Sequence, residues 1–173
     1  MTTTLRATPY FAAIFCVALL AGCSTTDETT PGTGAGTGGD GAAGAGGIND
    51  ITSVEYFNVV VGDRVFFDTD RFDLDSAAQT VLGRQAEWLL ANPGATATIE
   101  GHADERGTRD YNLALGARRA SSVASFLISR GVEANRLQTV SFGKERPVSL
   151  CSDESCWSQN RRGVTVVLRG PVS

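Results

Sequence analysis

The chain predicts a two-layer α/β sandwich, a mixed βαβαβ-type sheet with two main helices on one face. Three observations predict it. Two segments with helical apolar spacing, each closed by a breaker, alternate with short segments of period two. The strand segments are rich in β-branched and aromatic residues. Only roughly 120 of the 173 residues carry folding signals, enough for one core and too few for two. With 42% hydrophobic and 20% charged residues, the composition fits a globule with one apolar appendage and excludes bulk disorder and a multi-span membrane protein.

The elements follow in order. Tyr56 to Val61 and Arg64 to Phe67 flank Gly62-Asp63, which predicts a hairpin. Asp73 or Asp75 caps a helix over about Ser76 to Ala91, with Val81, Leu82, Ala86, Leu89 and Leu90 at helical spacing and Asn92-Pro93-Gly94 as its stop. Ala95 to Glu100 sets Thr96, Thr98 and Glu100 against Ala97 and Ile99, a strand by its alternation. A second helix runs from about Arg109 to Arg130 and stops at Gly131. Leu137 to Phe142 and Val164 to Leu168 are strands, with a loop between them.

The N-terminus is a targeting segment. Arg6 is the lone charge ahead of an apolar run of about eleven residues, Tyr10 to Leu20, too short to span a bilayer and suited to a signal-peptide core. It ends in Leu20-Ala21-Gly22-Cys23, which resembles a bacterial lipobox, where small residues admit the chain to a signal peptidase and the Cys thiolate takes the lipid. The alternative is an ordinary secretory signal with a chance Cys. On the lipobox reading the signal peptide is 1–22 and Cys23 carries N-acyl and S-diacylglycerol chains, with no other cofactor. Several acyl chains on one residue anchor stably where one chain does not. The absence of Asp after Cys23 resembles lipoproteins sorted to the outer membrane. Residues 23–50 then form a Gly/Thr/Ala tether with a reach of roughly 25–30 Å, too poor in apolar groups to order itself. The domain occupies 51–173.

Net charge is −4, and loss of Arg6 leaves the mature chain near −5. With a pI near 5.0, this argues against nucleic acid as a partner.

The run Gly101-His102-Ala103-Asp104-Glu105-Arg106-Gly107-Thr108 follows a strand and opens a helix, a place where rigid elements hold binding residues. On that helix Tyr111, Leu115, Val123, Phe126 and Leu127 form an apolar stripe, and Arg119 falls on it, four residues from Leu115 and from Val123. An Arg on a half-buried stripe is either paired, with Asp104 or Asp110 as candidates, or awaits an anionic ligand.

These segments resemble the OmpA-like peptidoglycan-binding domain family. The resemblance rests on Val65-Phe66-Phe67-Asp68-Thr69-Asp70, the 100–108 run, Tyr111-Asn112, Leu115 to Ala120, Val140 to Pro147 and Asn160-Arg161-Arg162. It covers nearly all of 63–169 and is strongest to the lipid-anchored members that serve the Tol machinery. It implies the same α/β sandwich and non-covalent binding of peptidoglycan at the diaminopimelate of the stem peptide. Asp104 and Arg119 match the family's charged contacts. An Arg fork suits the carboxylate and an Asp accepts from the ammonium, so a lysine side chain lacks half of the match. Thr108, Asn112 and Leu115 match the rest of the motif, and Phe67, Asp68, Phe72 and Asp73 are expected to border the site. The implied partners are peptidoglycan, the outer membrane through the lipid, and Tol proteins, above all the β-propeller TolB, which competes with the wall for the same face. The implied role is to tether the outer membrane to the wall during growth and division. The alternative is a wall-binding lipoprotein of a secretion or surface-assembly system.

His102 is the only histidine, and with no cysteine nearby in sequence it makes a poor metal set, so no metal is expected. No activated nucleophile is visible; a wall hydrolase would use Asp104 or Glu105, and these two are adjacent and tend to point apart. No enzyme is expected. Cys151 and Cys156 are a disulfide candidate in an exported chain, and Cys16 leaves with the signal peptide.

Overall fold

Four strands form one sheet: β1 (Arg64–Phe66), β2 (Ala95–His102), β3 (Leu137–Gly143) and β4 (Arg162–Arg169), in the spatial order β1-β4-β2-β3. The computed structural model describes residues 47–169. The expected signal peptide with Cys16, the expected lipobox at Cys23 and the expected tether up to residue 46 lie outside the described residues. The helices are α1 (Val54–Tyr56), which runs into a π-helical Phe57–Gly62, then α2 (Ser76–Ala91), α3 (Arg109–Ser129) and α4 (Glu154–Asn160).

β2 pairs with β3 in parallel, and α3 is the crossover that such a pair requires. β4 arrives last in the chain and fills the gap between β1 and β2, antiparallel to both. Alternation along β2 buries Ala95, Ala97 and Ile99 beneath α2 and α3, where Leu82, Leu89, Val123 and Leu127 complete a single core. This is the expected α/β sandwich. The core cluster draws on residues from Phe57 to Val167, so this segment holds a core of its own. No helix among the described residues is long and apolar enough to cross a membrane.

The main helices start and stop where their signals stand. The Asp75 carboxylate caps α2 by accepting from Ala78 N at 2.7 Å, which decides between the two Asp candidates. Thr108 caps α3 in the same manner, its Oγ1 accepting from Tyr111 N at 3.2 Å.

The predicted hairpin is not formed. Arg64–Phe66 is a strand, but it pairs with β4, and Val54–Gly62 is helical. The cap explains the start, because Ser53 Oγ accepts from Tyr56 N at 2.9 Å. Packing explains the rest. Phe57 and Val61, four residues apart, are buried, and the Phe57 ring lies 4.9 Å from that of Trp88, while Val59 and Val60 face solvent. Burial of one helical face outweighs the β-preference of the valines.

One further departure concerns the site. Residues 154–160 form a helix where a loop was expected, capped by Asp153, whose carboxylate accepts from Ser155 N at 2.8 Å. Cys151 and Cys156 are joined by a disulfide across the helix's first turn, with Cα atoms 5.6 Å apart. At the other end, residues 47–50, assigned to the tether, form a turn fixed to the domain: Gly47 O accepts from Asp50 N at 2.8 Å and from Ser53 Oγ at 3.2 Å.

Candidate functional site

β2 ends at His102, with a register irregularity against β3 between Gly101 and His102, and the chain then enters the 103–108 loop before α3. A pocket of about 270 Å³ opens there, between this loop, the start of α3 and the turn after β1.

Arg119 forms its floor. The side chain is fully buried, yet neither Asp104 nor Asp110 pairs with it. Instead it donates to three carbonyls: Nε to Arg71 O at 2.8 Å, Nη1 to His102 O at 2.8 Å, and Nη2 to Asp68 O at 3.0 Å. The Phe67 ring lies 5.1 Å from the guanidinium carbon. A guanidinium has five N–H donors, so two remain uncommitted among the described residues, one on each Nη. Burial pulls the Arg119 pKa down to about 10, with Asp104 opposing and Arg161 adding to the fall, so it stays a cation at neutral pH.

Asp104, also buried, stands at the wall. Arg106 grips it by Nη2 at 2.6 Å, Nε at 3.2 Å and backbone N at 3.1 Å, and Arg161 Nη1 approaches to 3.4 Å. Burial pushes the Asp104 carboxyl upward, but the hydrogen bonds and charge of Arg106, with help from Arg161, hold it below the usual range. It is a carboxylate at neutral pH.

Asn112 and Leu115 line the pocket from α3, and Asn112 Nδ2 fixes the loop by donating to Arg106 O at 2.7 Å. Asp70, at φ +60° in the turn after β1, faces them and accepts from the Tyr111 hydroxyl. That bond also raises the Tyr111 pKa.

The fold therefore brings Asp104, Asn112, Leu115 and Arg119 to one pocket. Thr108 shapes it by capping α3, while Phe67 and Asp68 support Arg119 from behind with a ring and a carbonyl. Phe72 and Asp73 do not reach it. Phe72 lies 5.4 Å from Arg118 on the outer side of α3, and Asp73 forms an exposed pair with Arg71 at 2.9 Å, because the chain has already turned away toward α2. Sequence reasoning missed Thr69, Asp70, Arg106 and Tyr111 as lining residues. By spacing Tyr111 falls on the apolar stripe, although its place in the first turn of α3 puts it beside the loop. The left-handed Asp70 has no sequence signal, since Gly would be the usual sign of such a turn.

His102 serves the site through its carbonyl alone. Its imidazole is buried against Phe142, ring centroids 5.6 Å apart, with neither nitrogen hydrogen-bonded. Burial, reinforced by Arg162 and Arg146, lowers its pKa to about 4. Asp104 lines the pocket and Glu105 does not, its carboxylate accepting instead from Trp157 Nε1 at 3.1 Å. Among the described residues, the single cluster with metal-ligand proximity is Cys151, Asp153 and Cys156, and its two sulfurs are bonded to each other.

A buried cation and a buried carboxylate thus line one pocket of an α/β domain. Residues 66–161 match the OmpA family, and the chain belongs to it. Two curated relatives are both called peptidoglycan-associated lipoprotein. That of Rhizobium meliloti is 52% identical over 95% of this chain and 90% of its own, and that of Agrobacterium fabrum is 57% identical over 73% of each. The crystal structure of the peptidoglycan-associated lipoprotein from Burkholderia pseudomallei superposes with a TM-score of 0.62 at 39% identity, covering 70% of this chain and 98% of that one. The C-terminal domain of Helicobacter pylori MotB, at 21% identity and TM-score 0.59 over 63% of this chain and 86% of that one, shares the fold. None of these names is that of an enzyme.

Proposed function

We propose that this protein is an outer-membrane lipoprotein that binds peptidoglycan without cleaving it. On this reading the ligand is the diaminopimelate side chain of the stem peptide. The observation that carries it is Arg119, a buried cation with two uncommitted N–H groups at the floor of a pocket walled by Asp104 and Asp70. Three carbonyls fix the guanidinium plane, so the fork meets a carboxylate with little further ordering. The acidic wall takes the ammonium, with Asp104 already ionised by its arginine neighbours. A side chain with both charges satisfies floor and wall together, and a lysine leaves Arg119 unanswered.

Cys23 carries the lipid, and the Gly-rich tether gives the domain reach from the membrane to the wall. The names of the relatives support wall association and the lipid anchor. The domain serves the Tol system in drawing the outer membrane inward at division, with TolB as the competing partner on the same face.

The test is co-sedimentation of soluble segment 47–173 with purified sacculi. Wild type is expected to pellet, and Asp104→Ala and Arg119→Lys, confirmed folded by circular dichroism, are expected to stay in solution. Folded wild type remaining in the supernatant contradicts the reading.

A further inference from the structure

The Cys151–Cys156 disulfide and α4 have no role in the site as described so far, yet α4 touches the pocket loop at two points and reaches Asp104 a third way through Arg161. Trp157 Nε1 donates to Glu105 Oε1 at 3.1 Å. The Trp157 ring lies 4.2 Å from the Arg106 guanidinium carbon, beneath the arginine that grips Asp104. Glu154 pairs with Arg161 Nη2, while Arg161 Nη1 approaches Asp104 at 3.4 Å and Nε donates to Phe67 O at 3.0 Å. Both cations that hold Asp104 are therefore placed by side chains of α4.

A seven-residue helix does not stand alone. At its C-terminal end, buried Asn160 secures α4: its Oδ1 accepts from Val148 N at 2.8 Å, and its Nδ2 donates to Ser149 O at 2.7 Å. At its N-terminal end the fastenings are the Asp153 cap and the disulfide, and Glu154 and Trp157 project from that end. We infer that Trp157 and the Cys151–Cys156 disulfide are positioning groups for the Asp104 wall of the pocket, so that the oxidised protein is the form that binds tightly. This rests on the wall-binding reading for the identity of the ligand, but not for the positioning itself.

Reduction by dithiothreitol adds two electrons and two protons, giving two thiols while the reagent closes to its own cyclic disulfide. The first turn of α4 then loosens, Glu154 leaves Arg161, and Trp157 leaves Arg106. The groups facing the Asp104 carboxylate are Arg106 on its own loop, Arg161 after α4 and Arg119 on α3, with the carboxylates of Glu105 and Glu154 nearby and Asp70 across the pocket. Looser placement of the first two raises the Asp104 pKa and weakens ligand binding by about three- to tenfold, the scale of a lost cation–π contact.

The experiment follows the Asp104 side-chain carboxyl by carbon NMR titration in segment 47–173, oxidised, reduced, and as Trp157→Leu with the disulfide intact. Sacculus binding is measured on the same samples. The inference predicts an Asp104 pKa raised by reduction and by Trp157→Leu, with binding weakened in both. Should reduction unfold the domain, the Trp157→Leu titration decides alone. An Asp104 titration unmoved in the folded samples overturns it. Oxidised wild type that ignores sacculi removes the wall-binding reading and leaves the titration standing as the test of positioning.

Discussion

Gly101 of β2 and Gly116 of α3 touch backbone to backbone: a Cβ on Gly101 would lie 1.8 Å from Gly116 O, and one on Gly116 would lie 2.8 Å from Gly101 O and 2.4 Å from Ser141 Oγ. This contact seats α3 against the sheet at the level where Arg119, one turn further on, reaches His102 O. Gly101→Ala has no flexible neighbour to displace, because the obstructing atoms are main chain. It is expected to destabilise the domain by about 3 kcal/mol in urea unfolding, at the upper end of overpacking costs. A change under 1 kcal/mol would mean that helix and sheet separate more easily than this contact implies.

Arg119 is a structural residue, and on the wall-binding reading a ligand contact as well. Arg119→Met leaves three buried carbonyls without donors and is expected to cost about 3–5 kcal/mol of stability. Arg119→Lys keeps the charge but cannot serve three diverging acceptors and a ligand together, so it is expected to lose wall binding while remaining more stable than the Met variant. Equal stability of the two variants would show that the carbonyls find other donors.

His102 gives the domain a defined acid sensitivity. Its folded pKa of about 4 lies below the ordinary 6.5, so the unfolded chain takes up a proton that the folded one refuses. The stabilisation is complete above pH 6.5, declines as pH falls toward 4, and levels off below that. Its total is at most about 3 kcal/mol. Glu100, 3.4 Å from Nε2, favours the protonated ring, and Arg146 and Arg162 disfavour it. Asp104 acts in a separate window, since its lowered pKa yields stability that is lost only below the ordinary carboxyl value of 3.8. His102→Phe is expected to flatten the stability profile between pH 6.5 and 4 and to leave the lower fall in place. A slope unchanged in that variant would assign the acid sensitivity elsewhere.

The helical 54–62 segment makes a prediction opposite to the hairpin its valines suggest. Phe57→Ala is expected to cost about 3–5 kcal/mol, and Val59→Ala less than about 0.5 kcal/mol. In a strand Phe57, Val59 and Val61 would share one face and respond alike.

Most of the fold was legible because α2, α3 and β2 carry signals that agree at every level: a cap, a period and a stop. The 54–62 segment misled because its β-branched residues conflict with the spacing of Phe57 and Val61, and contact with Trp88 resolves that conflict only in three dimensions. α4 escaped notice because seven residues hold too few periods to register, although Asp153 was a visible cap. At the site, Asp104 and Arg119 stood out as charges in an apolar or glycine-bracketed setting. The partners of Arg119 could not be read from sequence, since they are carbonyls and every residue has one. Asp70 and Tyr111 meet across a gap of 41 residues that only the tertiary fold closes.

The central claim is that Arg119 and the Asp104 wall read the two charges of one side chain. Isothermal titration calorimetry of segment 47–173 with a stem tripeptide ending in diaminopimelate, beside the same tripeptide ending in lysine, tests it most directly. The diaminopimelate peptide is expected to bind at least about tenfold tighter, the scale of one charge-assisted hydrogen-bonded pair. Arg119→Lys is expected to remove the difference. Equal affinity for the two peptides would contradict the claim.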